Sequence, residues 1–243
     1  MLLIAFIGLQ KQLYNCCSSG NLDEFLQIVY HNPTAARELV SRKQQSMETT
    51  GSCTCDENSK PQDYLHVACK NGHLDIVQQI VALGVDVNYV SSDLTALAVA
   101  CEAGHFRIVK FLSSKGAILH SNDESEDALS VFVACRAGHL DVVEFLISEN
   151  PGILLTHGQG LLYTSCKEGH LEIVKFFLKK GVNINGSNVN KHSGKESLHT
   201  QPLHGACVGQ QLGVIKYLIE NGAEVNDSHV EHFWEIIGEV LLR

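Results

Sequence analysis

The chain has 243 residues, of which 44% are hydrophobic and 19% charged, a composition typical of a folded globular protein. Its formal net charge of −9 argues against sequence-independent binding to nucleic acid, because such binding needs a basic surface. The apolar start, residues 1–8, is much shorter than the roughly 20 residues that a membrane-spanning helix needs. We therefore expect no nucleic-acid partner and no membrane insertion.

The N-terminal part of the chain predicts two capping helices and a polar insertion. Apolar spacing over residues 13–30 indicates a first helix pair, and a further helical stretch extends to residue 45. Residues 46–62 are polar and predict a flexible insertion. This insertion carries Cys53 and Cys55, which are too few ligands for a structural zinc site, so we expect exposed thiols there.

A short string recurs along the rest of the chain. It combines a small residue and Cys with two variable residues, then Gly-His and an apolar pair. The copies are ACKNGHLDIV from Ala68, ACEAGHFRIV from Ala100, ACRAGHLDVV from Ala134, SCKEGHLEIV from Ser165 and the degenerate ACVGQQLGVI from Ala206, with CCSSGNLDEF from Cys16 before them. A period of about 33 residues indicates stacked units rather than one globular core.

Each unit predicts two short helices joined by a tight turn. In the copy that begins near residue 63, apolar residues at positions 65, 68 and 69 lie on one face of a first helix. Gly72 is a helix-ending signal that accepts positive φ, and Gly138 occupies the same place two copies later. After His73, a second apolar stripe runs until Gly84. Neither helix is long enough to be stable alone, so neighbouring units must cover both.

These residues resemble the ankyrin repeat over about residues 10–230. The copies that fit best match at Thr95, Leu97, Ala100, Gly104, His105, Ile108, Val109 and Gly116, and at Pro202, Leu203, His204, Ala206, Leu218, Gly222, Ala223 and Asn226. The resemblance implies an all-α solenoid of helix-turn-helix units with β-turn or finger loops between them. We expect N-terminal capping helices over 1–45 and five repeats within 63–226. The helical spacing of Val230, Phe233 and Trp234 predicts a C-terminal helix over 227–243, which caps the array or begins a further domain. We expect the repeats at 63–92, 93–126, 127–157, 158–199 and 200–226.

The last copy departs from the pattern, because Gln210 replaces the turn glycine and Gly209 comes one place early. His66 and His204 match the family's histidine at the start of the first helix, which the resemblance implies to hydrogen-bond locally. The histidines of the Gly-His turn recur in four copies, and recurrence indicates a structural role rather than a catalytic one. We therefore expect no catalytic, cofactor or metal site.

Six cysteines, at positions 17, 69, 101, 135, 166 and 207, occupy one place in successive units. Stacked helices lie about 10 Å apart, beyond the roughly 7 Å limit on Cα separation in a disulfide. We therefore expect buried thiols in a reducing compartment, the cytoplasm or alternatively the nucleus.

Ankyrin arrays commonly bind partners through their fingers and first helices, on the concave side. The exposed first-helix positions that we expect to contact a partner are Lys70, Asn71, Glu102, Arg136, Lys167 and Glu168. Two long fingers, 120–127 and 186–200, are further candidates, and the first carries Asp123, Glu124, Glu126 and Asp127. Asn226 resembles the asparagine that intracellular asparaginyl hydroxylases modify in such arrays. Its alternative role is a hydrogen bond that stabilises the loop.

The sequence therefore predicts a monomeric, non-enzymatic scaffold or adaptor that binds another protein. An alternative is the regulatory N-terminal region of a larger signalling protein. The atypical start, the divergent repeats and the long insert before the last repeat resemble the ankyrin regions of Roco-type kinases and GTPases. A hydrolase with a cysteine nucleophile is a third interpretation, which a shallow repeat surface disfavours because a nucleophile needs an oriented base and a cleft.

Overall fold

The computed structural model describes residues 2–34, 36, 64–91, 94–118, 130–186 and 201–225. Twelve α-helices and one two-stranded hairpin lie in these ranges. The chain divides into two compact units, an N-terminal unit Met1–Glu124 and a C-terminal unit Ser125–Arg243. Cys53, Cys55, the four acidic finger residues and Asn226 lie outside the described residues.

The N-terminal unit contains three helix pairs and the hairpin. Its elements are α1 (Leu2–Ser19), α2 (Leu22–His31), α3 (Tyr64–Asn71), α4 (Leu74–Ala82), β1 (Val90–Ser91), β2 (Leu94–Thr95), α5 (Ala96–Glu102) and α6 (Phe106–Ser114). The first helices α1, α3 and α5 pack side by side in one layer, and the second helices α2, α4 and α6 form the other. The first helix begins at Leu2, so the apolar start of the chain continues into the helix that the sequence predicted from residue 13.

The C-terminal unit repeats the same two-layer arrangement. Its elements are α7 (Ser130–Ala137), α8 (Leu140–Glu149), α9 (Ile153–Glu168), α10 (Leu171–Lys179), α11 (Pro202–Val208) and α12 (Leu212–Glu220). Helices α7, α9 and α11 form one layer, and α8, α10 and α12 form the other. The predicted all-α architecture of helix-turn-helix units is thus confirmed.

Neighbouring helix pairs bury each other's apolar faces. In α4 the predicted stripe is buried at Ile76, Val77 and Ile80, and equivalent positions are buried in α6, α8, α10 and α12. Apart from α1 and α9, these helices have only 7 to 10 residues. Helices this short are marginal in water, so their stability comes from packing against the next pair.

Helix α9 is twice as long as the other first helices of the C-terminal unit, with 16 residues against 8 in α7 and 7 in α11. The repeat boundary expected between residues 157 and 158 therefore lies inside a helix, and that expectation was wrong. Only residues 150–152 connect α8 to α9, and the Asn150 side chain accepts a hydrogen bond from the Gly152 N–H at 3.2 Å. Gly158 and Gly160 obscured this extension, because glycine lowers helix propensity.

A histidine of one repeat rests on the turn glycine of the repeat before it. For three histidines, the imidazole Nε2–H donates to a backbone carbonyl two residues before that glycine. The acceptors are the carbonyls of Ser18 for His73 (3.1 Å), of Lys70 for His105 (3.0 Å) and of Arg136 for His170 (2.9 Å). The predicted structural role of these three histidines is thus a bridge between repeats, and we call it the histidine bridge.

The glycine at each bridge is needed for space as well as for conformation. Gly138 has φ 85°, as predicted, a region that side chains rarely adopt. A Cβ built on Gly138 would lie 2.5 Å from Cε1 of His170. Any larger residue would therefore push the imidazole away from its acceptor.

The last repeat builds the same bridge from different residues. Gln211 takes the histidine's place and its Nε2 donates to the Lys167 carbonyl at 3.4 Å, a longer and weaker bond. Gln210 adopts the left-handed conformation, with φ 56°. Gly209 is therefore not a displaced turn glycine, since its φ is −78°. Glycine is needed at position 209 because a Cβ there would collide with the carbonyl oxygen of Lys167.

All seven described cysteines are buried, free thiols, which confirms the prediction for the six repeat positions. Burial raises the pKa of Cys135 to about 12 and that of Cys207 to about 11, since a thiolate is poorly solvated in the core. Burial also raises the pKa of Cys69, Cys101 and Cys166.

The histidine bridge predicts a difference between two glycine-to-alanine substitutions. Gly138 and Gly181 have nearly equal φ values, 85° and 87°, so alanine costs similar backbone strain at both. Only Gly138 faces an imidazole; no atom lies within 4 Å of a Cβ at Gly181. Gly138→Ala should therefore lower the free energy of unfolding by about 1 kcal/mol more than Gly181→Ala does, measured by urea denaturation.

Removing the imidazole provides the control for this comparison. In a His170→Ala background the two glycine substitutions should cost nearly the same, because only the shared strain remains. Equal costs in the wild-type background would show that His170 does not constrain Gly138.

The buried thiols predict alkaline unfolding. Each thiol has its pKa raised in the folded protein, so its stabilising contribution is present below its ordinary pKa and is lost as the pH rises. Above about pH 9, each buried thiol lowers the free energy of unfolding by up to about 1.4 kcal/mol per pH unit, because the unfolded state ionises more readily. The most deeply buried thiols, at positions 17, 69, 101, 135 and 166, together lose a stabilisation comparable to a typical unfolding free energy within about two pH units. Circular dichroism should lose helix content as the ultraviolet absorbance of thiolate appears; thiolate formation with intact helices would contradict this.

Candidate partner-binding surface

The six predicted contact residues all lie in the last turn of a first helix, and all are exposed. Lys70 and Asn71 end α3, Glu102 ends α5, Arg136 lies in the last turn of α7, and Lys167 and Glu168 end α9. Each of the two compact units thus presents both signs of charge on the last turns of its own first helices. A ligand of one charge sign alone is not favoured.

The backbone of this first-helix surface is fixed by the bridges between repeats. The carbonyls of Lys70, Arg136 and Lys167 are the acceptors for His105, His170 and Gln211. The side chains of these three residues therefore project from a turn that the next repeat holds in place. Sequence reasoning identified the residues but not this link between the surface and the packing.

One finger is described, and it is anchored to the preceding repeat. Strands β1 and β2 pair antiparallel, with Ser91 opposite Leu94. The Nε2–H of His66 donates to the Leu94 carbonyl at 3.0 Å, across 28 residues of sequence. The expectation of a local hydrogen bond for His66 was therefore wrong, because the finger folds back over the first helix of the repeat before it. Val90, at the finger's start, is 52% exposed.

Within each of the two compact units, a loop asparagine forms hydrogen bonds with the loop of the next repeat. Asn88 donates to the Gly116 carbonyl at 3.1 Å and accepts from the Ile118 N–H at 2.7 Å. Asn185 accepts from the Glu224 N–H at 2.8 Å. These two asparagines occupy the position that Asn226 holds in the last repeat, so the equivalent residues perform the loop-stabilising role.

The chemistry of the described cysteines does not fit nucleophilic catalysis. A cysteine nucleophile reacts as the thiolate and needs a lowered pKa and access to solvent. Cys135 and Cys166 are buried, and burial raises the pKa of both. Within the described ranges, no group of three or more His, Cys, Asp or Glu side chains could hold a metal ion. No helix in that part of the chain is long and apolar enough to cross a membrane.

The C-terminal unit contains a groove that sequence reasoning missed. It has a volume of about 530 Å³ and lies between α8, α10 and the start of α9. Its apolar lining comes from Ile147, Pro151, Leu154 and Phe176, while Glu144 and the pair Lys179 and Lys180 line its polar parts. The groove depends on the early start of α9, which no single-repeat pattern reveals. The sequence feature that indicates this early helix start is the turn sequence Asn-Pro-Gly at 150–152.

Comparison with known proteins gives the same family as the geometry. The family model described as "Ankyrin repeats (3 copies)" matches residues 13–123 and 131–229. The crystal structure of the human ASB11 ankyrin repeat domain superimposes with a TM-score of 0.63 at 22% identity, covering 88% of this chain and 85% of that one. At this identity the likeness shows the fold alone.

A curated relative is "Ankyrin repeat and KH domain-containing protein mask-1" from Caenorhabditis elegans. It is 29% identical over 123 residues, which cover 45% of this chain and 5% of that protein. The chain thus corresponds to a small part of this relative. Ankyrin repeats are in general protein–protein interaction modules and typically non-enzymatic. With the family model matching most of its length, the chain belongs to the ankyrin-repeat family.

Proposed function

We propose that this chain is a non-enzymatic adaptor that binds another protein through its fingers and first-helix surface. The observation that carries the proposal is the position of Lys70, Arg136 and Lys167. Their side chains are exposed, while their carbonyls are held by the next repeat. A surface that is ordered before binding loses less conformational entropy when a partner docks.

The mixed charges suggest how a partner is selected. Glu102 occupies the position that Lys70 holds in the repeat before it, and Glu168 directly follows Lys167, so both signs of charge occur within each of the two compact units. A complementary partner presents both signs in a matching order. Such patterns act mainly on specificity and on the association rate.

The acidic finger is a second contact in the same proposal. Asp123, Glu124, Glu126 and Asp127 place four carboxylates within five residues. A cluster of this kind would attract a basic segment and accelerate the encounter. An acidic loop that only increases solubility is the alternative.

A second proposal is that the array is the regulatory region of a larger multidomain protein. It is favoured by the coverage of only 5% of the curated relative, whose name includes a KH domain. Under this proposal the array still binds a partner, and a further domain supplies the activity. An antibody against the repeats would distinguish the two proposals, by detecting an endogenous protein either of 243 residues or much longer.

Reversing the first-helix charges should weaken binding to a purified partner. A partner is first isolated by chemical crosslinking and mass spectrometry, and its affinity is then measured by biolayer interferometry. The triple substitution Lys70→Glu, Arg136→Glu and Lys167→Glu should raise Kd by at least about tenfold, because each substitution places like charges opposite the partner. The melting temperature should change little, since all three side chains are exposed.

Lys110→Glu on the exposed side of α6 is the matched control, and it should leave Kd unchanged. Neutralising the four finger carboxylates should slow association and reduce its dependence on salt. If neither the triple substitution nor the finger neutralisation changes binding, the partner docks elsewhere and the proposed surface is wrong.

A further inference from the structure

The early start of α9 creates a groove on the second-helix layer of the C-terminal unit. Leu154, in the first turn of α9, and Phe176, in α10, are both half-buried in its lining. Ile147 of α8 and Pro151 complete the apolar part. A volume of about 530 Å³ falls within the range of sites that take small ligands or a few peptide side chains. The groove is separate from the first-helix surface, whose residues do not line it.

Two lysines give one edge of the groove a positive charge. Lys179 and Lys180 are exposed at the end of α10 and line the groove. Nζ of Lys180 lies 5.4 Å from the ring centroid of Phe176, which holds the ammonium over the apolar lining. Among the described residues neither lysine forms an ion pair with a carboxylate. In a chain with a net charge of −9, this edge is a local exception.

A third feature is apolar surface beside the groove. Leu155 follows Leu154 in the first turn of α9 and is 92% exposed, the largest exposed fraction among the large hydrophobic residues that the structure describes. A leucine side chain left in water forfeits the favourable free energy that burying it would give. A ligand that fills the groove and extends over the start of α9 would cover this side chain.

We propose that this groove binds a short peptide segment of another protein, in which a bulky apolar residue stands beside two or more carboxylates. The apolar side chain packs against Leu154 and Phe176, and the carboxylates pair with Lys179 and Lys180. Glu144 lines the groove as well and accepts hydrogen bonds from the N–H groups of the peptide. Charge complementarity and the exposed Leu155 favour this occupant over a lipid surface, for which two lysines at a concave site provide little attraction.

Selection from a random peptide library displayed on phage tests the proposal. The selected sequences should share an apolar residue next to Asp or Glu. Synthetic peptides of those sequences are then measured by fluorescence anisotropy. The double substitution Lys179→Glu and Lys180→Glu should raise Kd by at least about tenfold and reduce the dependence on salt. Leu154→Ala should weaken binding through lost apolar contact, without changing the dependence on salt.

Helix α6 offers a matched control. Lys115 lies 5.5 Å from the ring centroid of Phe111, the same arrangement at the end of a second helix, but neither residue lines the groove. Lys110→Glu together with Lys115→Glu should leave Kd unchanged, although it changes the net charge equally. The first-helix triple substitution should also leave it unchanged, which separates this proposal from the proposed function.

Several outcomes would overturn the proposal. Failure to select binders, selected sequences without carboxylates, or equal losses in the two double-lysine variants would each do so. If a synthetic peptide of residues 229–243 displaces the selected peptides with comparable affinity, the occupant is this chain itself or a second copy. If the protein instead sediments with phosphatidylserine vesicles and loses this in the Lys179→Glu and Lys180→Glu variant, the site binds lipid.

Discussion

The hydrogen bond from an imidazole to a carbonyl of the preceding repeat is the interaction on which the described stacking depends. Because glycine has no side chain, the imidazole that makes this bond packs directly against the glycine Cα. A histidine of one repeat thus contacts a glycine of the repeat before it. The glycine also ends a first helix in the left-handed conformation, and the histidine after it is the N-cap of the next helix. The turn that contains this glycine and histidine thereby sets the chain direction, the helix boundaries and the distance between neighbouring repeats.

The same constraint shapes the core and the surface. The first helices pack side by side, and their buried faces include alanine and cysteine, a small residue of low polarity. The buried thiols at 69, 101, 135 and 166 follow from this spacing. The exposed last turn of each first helix follows too, since its carbonyls face the next repeat while Lys70 and Arg136 project into solvent. The exposed side chains of Lys70 and Arg136 are therefore positioned by the same bonds that stabilise the stacking.

Variation appears where the bridge is weakest or the connection changes. In the last repeat, Gln211 makes a 3.4 Å bond in place of the imidazole, and Gly209 lets α11 approach the backbone of α9. Earlier in the same unit, α9 begins about two turns before the usual position, so a helix replaces a finger. The extended α9 opens the groove between α8 and α10 and leaves Leu155 in solvent. A departure in one connection thus alters the exposed surface of the C-terminal unit without disturbing its two-layer packing.

The recurring Cys, Gly and His positions were sufficient to predict the helix pairs, the left-handed Gly138, the buried thiols and the first-helix residues that are exposed. These properties are local, because helix periodicity and turn chemistry act within a few residues. The partner of His66, the close approach at Gly209, the start of α9 and the groove beside Phe176 were decided only by the tertiary structure. Each depends on the distance between segments tens of residues apart, which packing sets and which no local pattern encodes.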